Sequence, residues 1–462
     1  MASPSTPSTA GGRRRPGLPT LAAATSTGTA IEQYDFIAYA VATSIVFNKV
    51  FFPEFDATVG TLLAFVVFFT GFLARPIGGL IVGHFGDRLG RKRMLVVTVL
   101  TMGTATVVVG LLPTYQQIGV TAPILLLVCR VLQGIAVGGE WGGAALVGVE
   151  HAPAHRRGFF GSWSMVGISG GGMLATVSFA LLALLPEQAF LTWGWRVPFV
   201  ASVVLVAVGF WVRTRITETA AFRSAEREGV TRLPVVALLR SSWRRLLLAT
   251  GVSISYNAFV YLVFTYALSY GTQQLGLTRA LLLNATVVGL VLQLPSILVA
   301  GALSDRVGRR PVMLAGALFM VVDAFVFFAL MDTRAVPAVY LTIALAYVGA
   351  ALMYGPLAAH FVEIFDVRVR YSGISLAYQL GASLGGGLTP MILTLLYLST
   401  GGTLALSTYI AALAAIAVAC LAALPTSKPG AVRPLGSDAD GGDGPGGTAV
   451  PGAPSRGGAV AD

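Results

Sequence analysis

The chain has 462 residues, 55% of them hydrophobic and 11% charged, with a mean hydropathy of +0.78. An ordinary soluble domain carries roughly 25% charged residues, so a cytosolic or secreted globular enzyme is excluded. The net charge of +11 is expected in cytoplasmic loops, where Lys and Arg of membrane proteins gather, and not in a nucleic-acid site.

A membrane-crossing helix takes about 20 apolar residues, more with tilt. Roughly twelve such spans fit the chain and leave residues for two tails and short loops. A β-barrel would alternate apolar and polar residues in segments of about 10, whereas this chain has long unbroken apolar runs. The expected fold is therefore an all-α polytopic membrane protein. Residues 1–27 are rich in Ser, Thr, Pro, Ala and Gly and carry Arg13, Arg14 and Arg15. They read as a disordered cytoplasmic tail without a signal-peptide core. Spans are expected near 28–51, 57–83, 93–113, 121–149, 157–185 and 195–213. After a cytoplasmic linker at 214–243, with a short surface helix, six more follow near 244–271, 278–303, 311–331, 337–365, 369–398 and 402–424. Residues 425–462 hold 10 Gly and 6 Pro and cannot build a packed core. With this topology, 25 of the 31 Lys and Arg lie on one side, which puts both termini in the cytoplasm.

The two six-helix halves, 28–213 and 244–424, repeat a pattern. Gly83-His84-Phe85-Gly86-Asp87-Arg88-Leu89-Gly90-Arg91-Lys92 follows the second span, and Gly301-Ala302-Leu303-Ser304-Asp305-Arg306-Val307-Gly308-Arg309-Arg310 follows the eighth. Glu150 and Arg157 lie seven apart, as do Glu363 and Arg370. The glycines allow a tight turn and close helix approach. Asp87 can accept from amides at a helix start, and Arg91 can pair with a carboxylate at a neighbouring helix end. Glu150 is the expected partner of Arg91 and Glu363 that of Arg309. Together with Arg88, Arg157, Arg306 and Arg370, these groups form an expected latch that opens and closes the cytoplasmic side. The plainer reading is a set of positive-inside turns.

The doubled GxxxDRxGR[KR] pattern resembles the loop motif of the major facilitator superfamily over nearly all of 27–424. Finer features resemble its metabolite:proton symporter family, which includes shikimate, α-ketoglutarate, citrate and proline/betaine permeases. They are Gly28 to Phe36, Phe72-Leu73-Ala74-Arg75-Pro76, Arg130-Val131-Leu132-Gln133-Gly134 with Gly138-Gly139-Glu140, and Trp193 to Phe199. Gln33 stands where the family pattern usually has Trp.

Charges inside spans are costly and mark functional sites. Glu32, Asp35, Arg75, Arg130, Glu140 and Asp323 fall there. Glu32 and Asp35 share a helix face, with Tyr39 four residues beyond. The resemblance implies that Asp35 is the proton site and that Arg130, its candidate counter-ion, tunes it. A static buried salt bridge is the bland alternative. From their positions, Glu32 beside Asp35 and Glu140 among the glycines of the fourth span are further proton-coupling candidates, Glu140 alternatively a member of a structural ion pair. Arg75 suits a substrate carboxylate, and its counterpart in the second half is Gln293. Tyr34, Tyr39, Trp163, Asn257, Tyr261, Gln293, Tyr354 and Gln379 are the other candidate substrate contacts, with Ser169, Tyr256 and Tyr378 beside them.

The expected function is proton-coupled uptake of a small organic acid by alternating access, with protons as the coupling ion and no metal or cofactor. A proline- or betaine-like osmolyte is the next reading, then a drug:proton antiporter and a non-transporting sensor. The expected partners are substrate and lipid bilayer, with no nucleic acid, and the monomer is the expected working unit. No H-E-x-x-H, P-loop or nucleophile–base arrangement points to an enzyme.

Overall fold

In hydrocarbon every backbone polar group must find a partner within the protein, which leaves helices as the way for such a chain to cross. The computed structural model describes residues 18–89, 91–138, 141–150, 152–215, 234–366 and 369–425. Among them lie twelve long helical units. The first half holds α1 (18–51), α2 (Ala57–Leu89), α3 (Arg91–Leu111), α4 (Thr121–Val137, resuming at Trp141–Glu150), α5 (Arg157–Leu182) and α6 (Val197–Arg215). The second holds α7 (Trp243–Gln273), α8 (Arg279–Val307), α9 (Arg309–Asp332), α10 (Val336–Ile364), α11 (Arg370–Thr400) and α12 (Leu404–Ala423). Eight of these are long and apolar enough to cross a membrane, and three more overlap the shorter apolar stretches Val96–Leu111, Thr121–Val137 and Gly194–Phe210. The first helix begins ten residues before the expected span, at Leu18. A short helix, Pro234–Ser241, precedes α7. The expected tail residues 1–17 and 426–462 and linker residues 216–233 lie outside the described residues, as does Glu140.

Three units change pitch. Thr43–Phe47 in α1, Leu262–Tyr266 in α7 and Ala382–Gly387 in α11 are π-helical, and those in α1 and α7 sit at matching places of the repeat. Prolines also recur at nearly matching places, Pro76 inside α2 and Pro295 inside α8. The turn between α8 and α9 is made by Gly308, whose φ of 97° lies in the left-handed region that glycine tolerates. The motif glycine therefore serves the tight turn its sequence suggested.

Across the halves, α5 packs against α8 and α10, and α2 against the π segment of α11. These crossings are close because small residues line them, which lets backbones approach in lipid. A Cβ on Gly301 of α8 would stand 2.8 Å from the Gly158 carbonyl and 2.8 Å from Ser162 Oγ, both on α5. Gly301→Val should hold the halves apart at this end. A cysteine replacing buried Ala359 on α10, in a chain lacking Cys129 and Cys420, should then react with an impermeant maleimide. Continued protection would show that the crossing does not control closure.

Candidate functional site

A small pocket lies between the halves. From the first half, α1 supplies Gln33 and Ile37, α2 supplies Arg75, and α5 supplies Ile168 and Ser169. From the second half, α7 supplies Tyr256, Asn257, Val260, Tyr261 and Phe264, with Gln293 of α8, Tyr354 of α10 and Tyr378 of α11 opposite. Tyr256 and Tyr354 stack at 4.1 Å between ring centroids. Asn257 anchors its amide nitrogen on the Ser253 carbonyl at 2.8 Å, leaving its oxygen for other donors. A smaller pocket adjoins, bounded by Thr29, Glu32, Gln33, Arg75, Ile168, Tyr378 and Gln379. Arg75, Gln33 and Tyr378 thus border both.

Arg75 is almost fully buried, and its Nε has no hydrogen-bond partner. Its guanidinium lies 3.8 Å from the centroid of Phe36 and 4.4 Å from that of Phe72. Arg130 is 0% exposed and sits 4.4 Å from the same Phe36 ring and 4.2 Å from Tyr39. Its Nε and Nη2 also lack partners. Aromatic faces attract cations, the more so when both are out of water, and here the rings hold two guanidinium groups where few anions reach.

Asp35, 2% exposed, is the nearby acid. It does not form a direct ion pair with Arg130. Thr106 Oγ1 on α3 donates to Asp35 Oδ2 at 3.0 Å, Gln133 Nε2 on α4 donates to Thr106 Oγ1 at 2.7 Å, and Arg130 Nη1 donates to Gln133 Oε1 at 3.3 Å. The pairing expected from the resemblance is therefore indirect, through two neutral side chains.

Three expected substrate contacts lie away from the cavity. Tyr34 faces α6, its hydroxyl held by the Pro198 carbonyl at 2.9 Å. Tyr39 packs under Arg130 and stacks on Phe68, so its ring belongs to the wall behind the cavity. Trp163 edges against Phe159 nearer the start of α5. A span has several faces and only one meets the other half, and these three side chains lie off that face. Arg75, Asn257, Tyr261, Gln293 and Tyr354 line the larger space, and Glu32 and Gln379 the smaller. Asp323 is buried in α9, away from both. Gln33 lines both pockets, and its only mark in the sequence is its departure from the family's Trp. Phe36 and Phe72 were also missed, because an apolar ring in a span carries no sequence mark.

At the motif-bearing end, Asp305 of α8 reaches the first turn of α5. Its Oδ1 accepts from Gly158 N at 2.8 Å and its Oδ2 from Phe159 N at 2.9 Å. A carboxylate at a helix N-terminus satisfies free amides and meets the positive end of the dipole. Arg309 binds the same carboxylate at 2.6 Å and Glu363 at 3.3 Å, as its sequence position suggested. Glu150 pairs with Arg370 across the halves at 3.1 Å; its expected pairing with Arg91 falls on a side chain outside the described residues. Arg157 is buried within reach of Glu363 and Glu150, and Arg306 is exposed. The side chains of Asp87, Arg88 and Arg91 lie outside the described residues.

The halves also touch at the opposite end. Gln273 Nε2 donates to Thr61 Oγ1 at 2.7 Å, and Arg279 Nη2 to the Leu185 carbonyl at 2.8 Å. Nearby, Lys49 lies 2.5 Å from Glu187 and holds its carboxyl below the usual glutamate range. That pair is exposed and contributes little to stability.

Two helical halves enclosing a central polar cavity define a multi-pass membrane carrier. Residues 21–230 match the family described as Sugar (and other) transporter, and residues 272–454 match the Major Facilitator Superfamily. The shikimate transporter of Escherichia coli K12 is 40% identical over 370 residues, which cover 79% of this chain and 84% of that one. The E. coli K12 inner membrane metabolite transport protein YhjE is 39% identical over 405 residues, 85% of this chain and 91% of that protein. The proline/betaine transporter of the same organism is 34% identical over 426 residues, covering 89% and 84%. The chain belongs to the major facilitator superfamily of membrane transporters. A crystal structure of a D-xylose-proton symporter shares the fold, with a TM-score of 0.69, 20% identity and coverage of 88% of this chain and 98% of that one.

The Glu150–Arg370 bridge joins the halves where they must part, so charge order should matter more than charge type. Glu150→Arg and Arg370→Glu singly should each lower transport at least tenfold, since either leaves two like charges buried together, which costs several kcal/mol. The double swap should recover a large part of the rate. Equal loss in the double variant would remove this pair from the latch.

Proposed function

We propose that this carrier imports a small organic anion together with protons, by alternating access, across a bacterial inner membrane with both termini in the cytoplasm. The observation that carries this reading is Arg75, a buried guanidinium on the cavity wall with an unpartnered nitrogen. A carboxylate is the anion whose two oxygens fit a guanidinium fork. Around it Gln33, Asn257, Gln293 and the tyrosines offer donors and acceptors for hydroxyl or keto groups, which favours a hydroxylated or keto acid over a plain hydrocarbon acid. The shikimate transporter among the relatives supports that class.

Proton coupling is assigned to Asp35. Its carboxyl is buried between α1, α3 and α4, and a buried carboxyl costs less to hold when neutral. In the cycle, substrate anion and proton enter together from the far end. The Gln273–Thr61 and Arg279–Leu185 contacts close behind them. The Asp305 cap and the Glu150–Arg370 bridge then release, and both leave on the cytoplasmic side. A proline- or betaine-like zwitterion is the second reading, favoured by Glu32. That carboxylate borders the smaller space beside Arg75 and would face the cationic end of such a molecule.

The test is uptake of labelled hydroxy acids, keto acids and betaines into vesicles under an inward proton gradient. One acid should accumulate, and Asp35→Asn should abolish accumulation. Arg75→Gln should raise KM by roughly tenfold to a hundredfold, the worth of a lost charge-assisted bond of about 1.5–3 kcal/mol. Accumulation of betaine alone would establish the second reading. Gradient-driven uptake that survives Asp35→Asn would overturn the proton assignment.

A further inference from the structure

Asp35 is held by a hydroxyl. Thr106 Oγ1 stands 3.0 Å from Asp35 Oδ2 and also 3.0 Å from the Met102 carbonyl one turn back, while Gln133 Nε2 donates to it at 2.7 Å. A hydroxyl has one proton and two lone pairs, so it donates to one of its two acceptors at a time. With Asp35 ionised, the Thr106 proton points to Oδ2. With Asp35 protonated, the carboxyl O–H donates to Thr106 Oγ1, and the Thr106 proton turns to the Met102 carbonyl. Gln133 keeps donating in both arrangements. In each charge state the Thr106 hydroxyl donates one bond and accepts at least one, and the change in its own direction needs only rotation about one C–O bond.

We propose that Thr106 and Gln133 are positioning residues for proton coupling, a hydroxyl switch that accommodates both forms of Asp35 and ties them to Arg130. The proposal rests on Asp35 being the proton site. The O–H bond at Oδ2 is the only bond made. Its proton comes from water on the side of entry and goes to water on the side of exit. Gln133 extends the switch, because its Oε1 accepts from Arg130 Nη1 at 3.3 Å. A change at Asp35 thus reaches the guanidinium that shares Phe36 with Arg75.

The surroundings leave these as the groups that respond. Glu32, Tyr34 and Tyr39 lie on α1 with Asp35, Arg75 comes from α2, and Arg130 and Cys129 come from α4. The charged residues of α3 are Arg91, Lys92 and Arg93, that of α5 is Arg157, and those of α6 are Arg213 and Arg215, all at the motif-bearing end. A threonine within a helix often bonds the carbonyl four residues back with no further role. That plain role would leave the pH dependence of transport unmoved.

The experiment measures proton-driven uptake against pH in vesicles, beside substrate counterflow at fixed pH, which reports a folded carrier without net proton movement. Thr106→Val removes the donor to ionised Asp35, so its half-maximal point should move alkaline by roughly one pH unit. Thr106→Ser should restore the normal profile. Gln133→Leu, on another helix, should give an alkaline shift too, and decides the matter if Thr106→Val loses counterflow. Unmoved profiles in folded variants, with Asp35→Asn inactive in driven uptake, would overturn the switch and leave the proton site standing. Driven uptake in Asp35→Asn would instead remove the reading beneath it.

Discussion

A charge taken out of water must be compensated where it lies, and that constraint organises the described part of this carrier. Arg75 and Arg130 are compensated by ring faces, Asp35 by a hydroxyl, and Asp305 by two backbone amides and Arg309. Each solution is partial. The guanidinium groups retain unpartnered nitrogens, and the Asp305 cap is built from the opposite half of the molecule. Groups compensated in part by something able to leave are suited to a site that must exchange its contents and to a joint that must open.

The fold is duplicated, but its chemistry is shared unequally. The spacing that relates Asp87 to Asp305 sets Gln293 opposite Arg75, Ser253 opposite Asp35 and Thr250 opposite Glu32. The first half therefore holds the ionic groups, and the second presents neutral amides and tyrosines to the same cavity. The latch retains its acids and arginines in both halves at the level of sequence. Symmetry was kept where the halves open and close, and was given up where they bind.

Most of the architecture was legible because hydropathy and the positive loops speak directly for spans. The repeat was legible because Asp305, Arg309 and Glu363 stand at fixed spacing, and their contacts follow from it. Arg75 and Gln293 were found together by one register argument, and both line the cavity. What the sequence concealed depends on helix rotation and on apolar groups. Tyr34 and Tyr39 flank Gln33, Asp35 and Ile37 in sequence but point elsewhere. Phe36 and Phe72 hold the arginines yet look like any core ring. Thr106 is one of several threonines in α3, and only packing brings it to Asp35.

The π-helical segments have a consequence for how the spans can bend. A π turn takes in one more residue and leaves the local carbonyl ladder loosened, which in lipid would strand polar groups. In α1, Thr43 Oγ1 and Ser44 Oγ donate to the carbonyls of Tyr39 and Ala40 at 2.7 and 2.8 Å. In α11, Ser383 Oγ lies 2.8 Å from both the Gln379 carbonyl and the Phe72 carbonyl of the other half. These hydroxyls act as spare donors carried by the joint itself. A helix supplied in this way keeps its loosened carbonyls paired in mid-membrane without importing water, so the departures of α1 and α11 from α-helical pitch are accommodated by a few small alcohols.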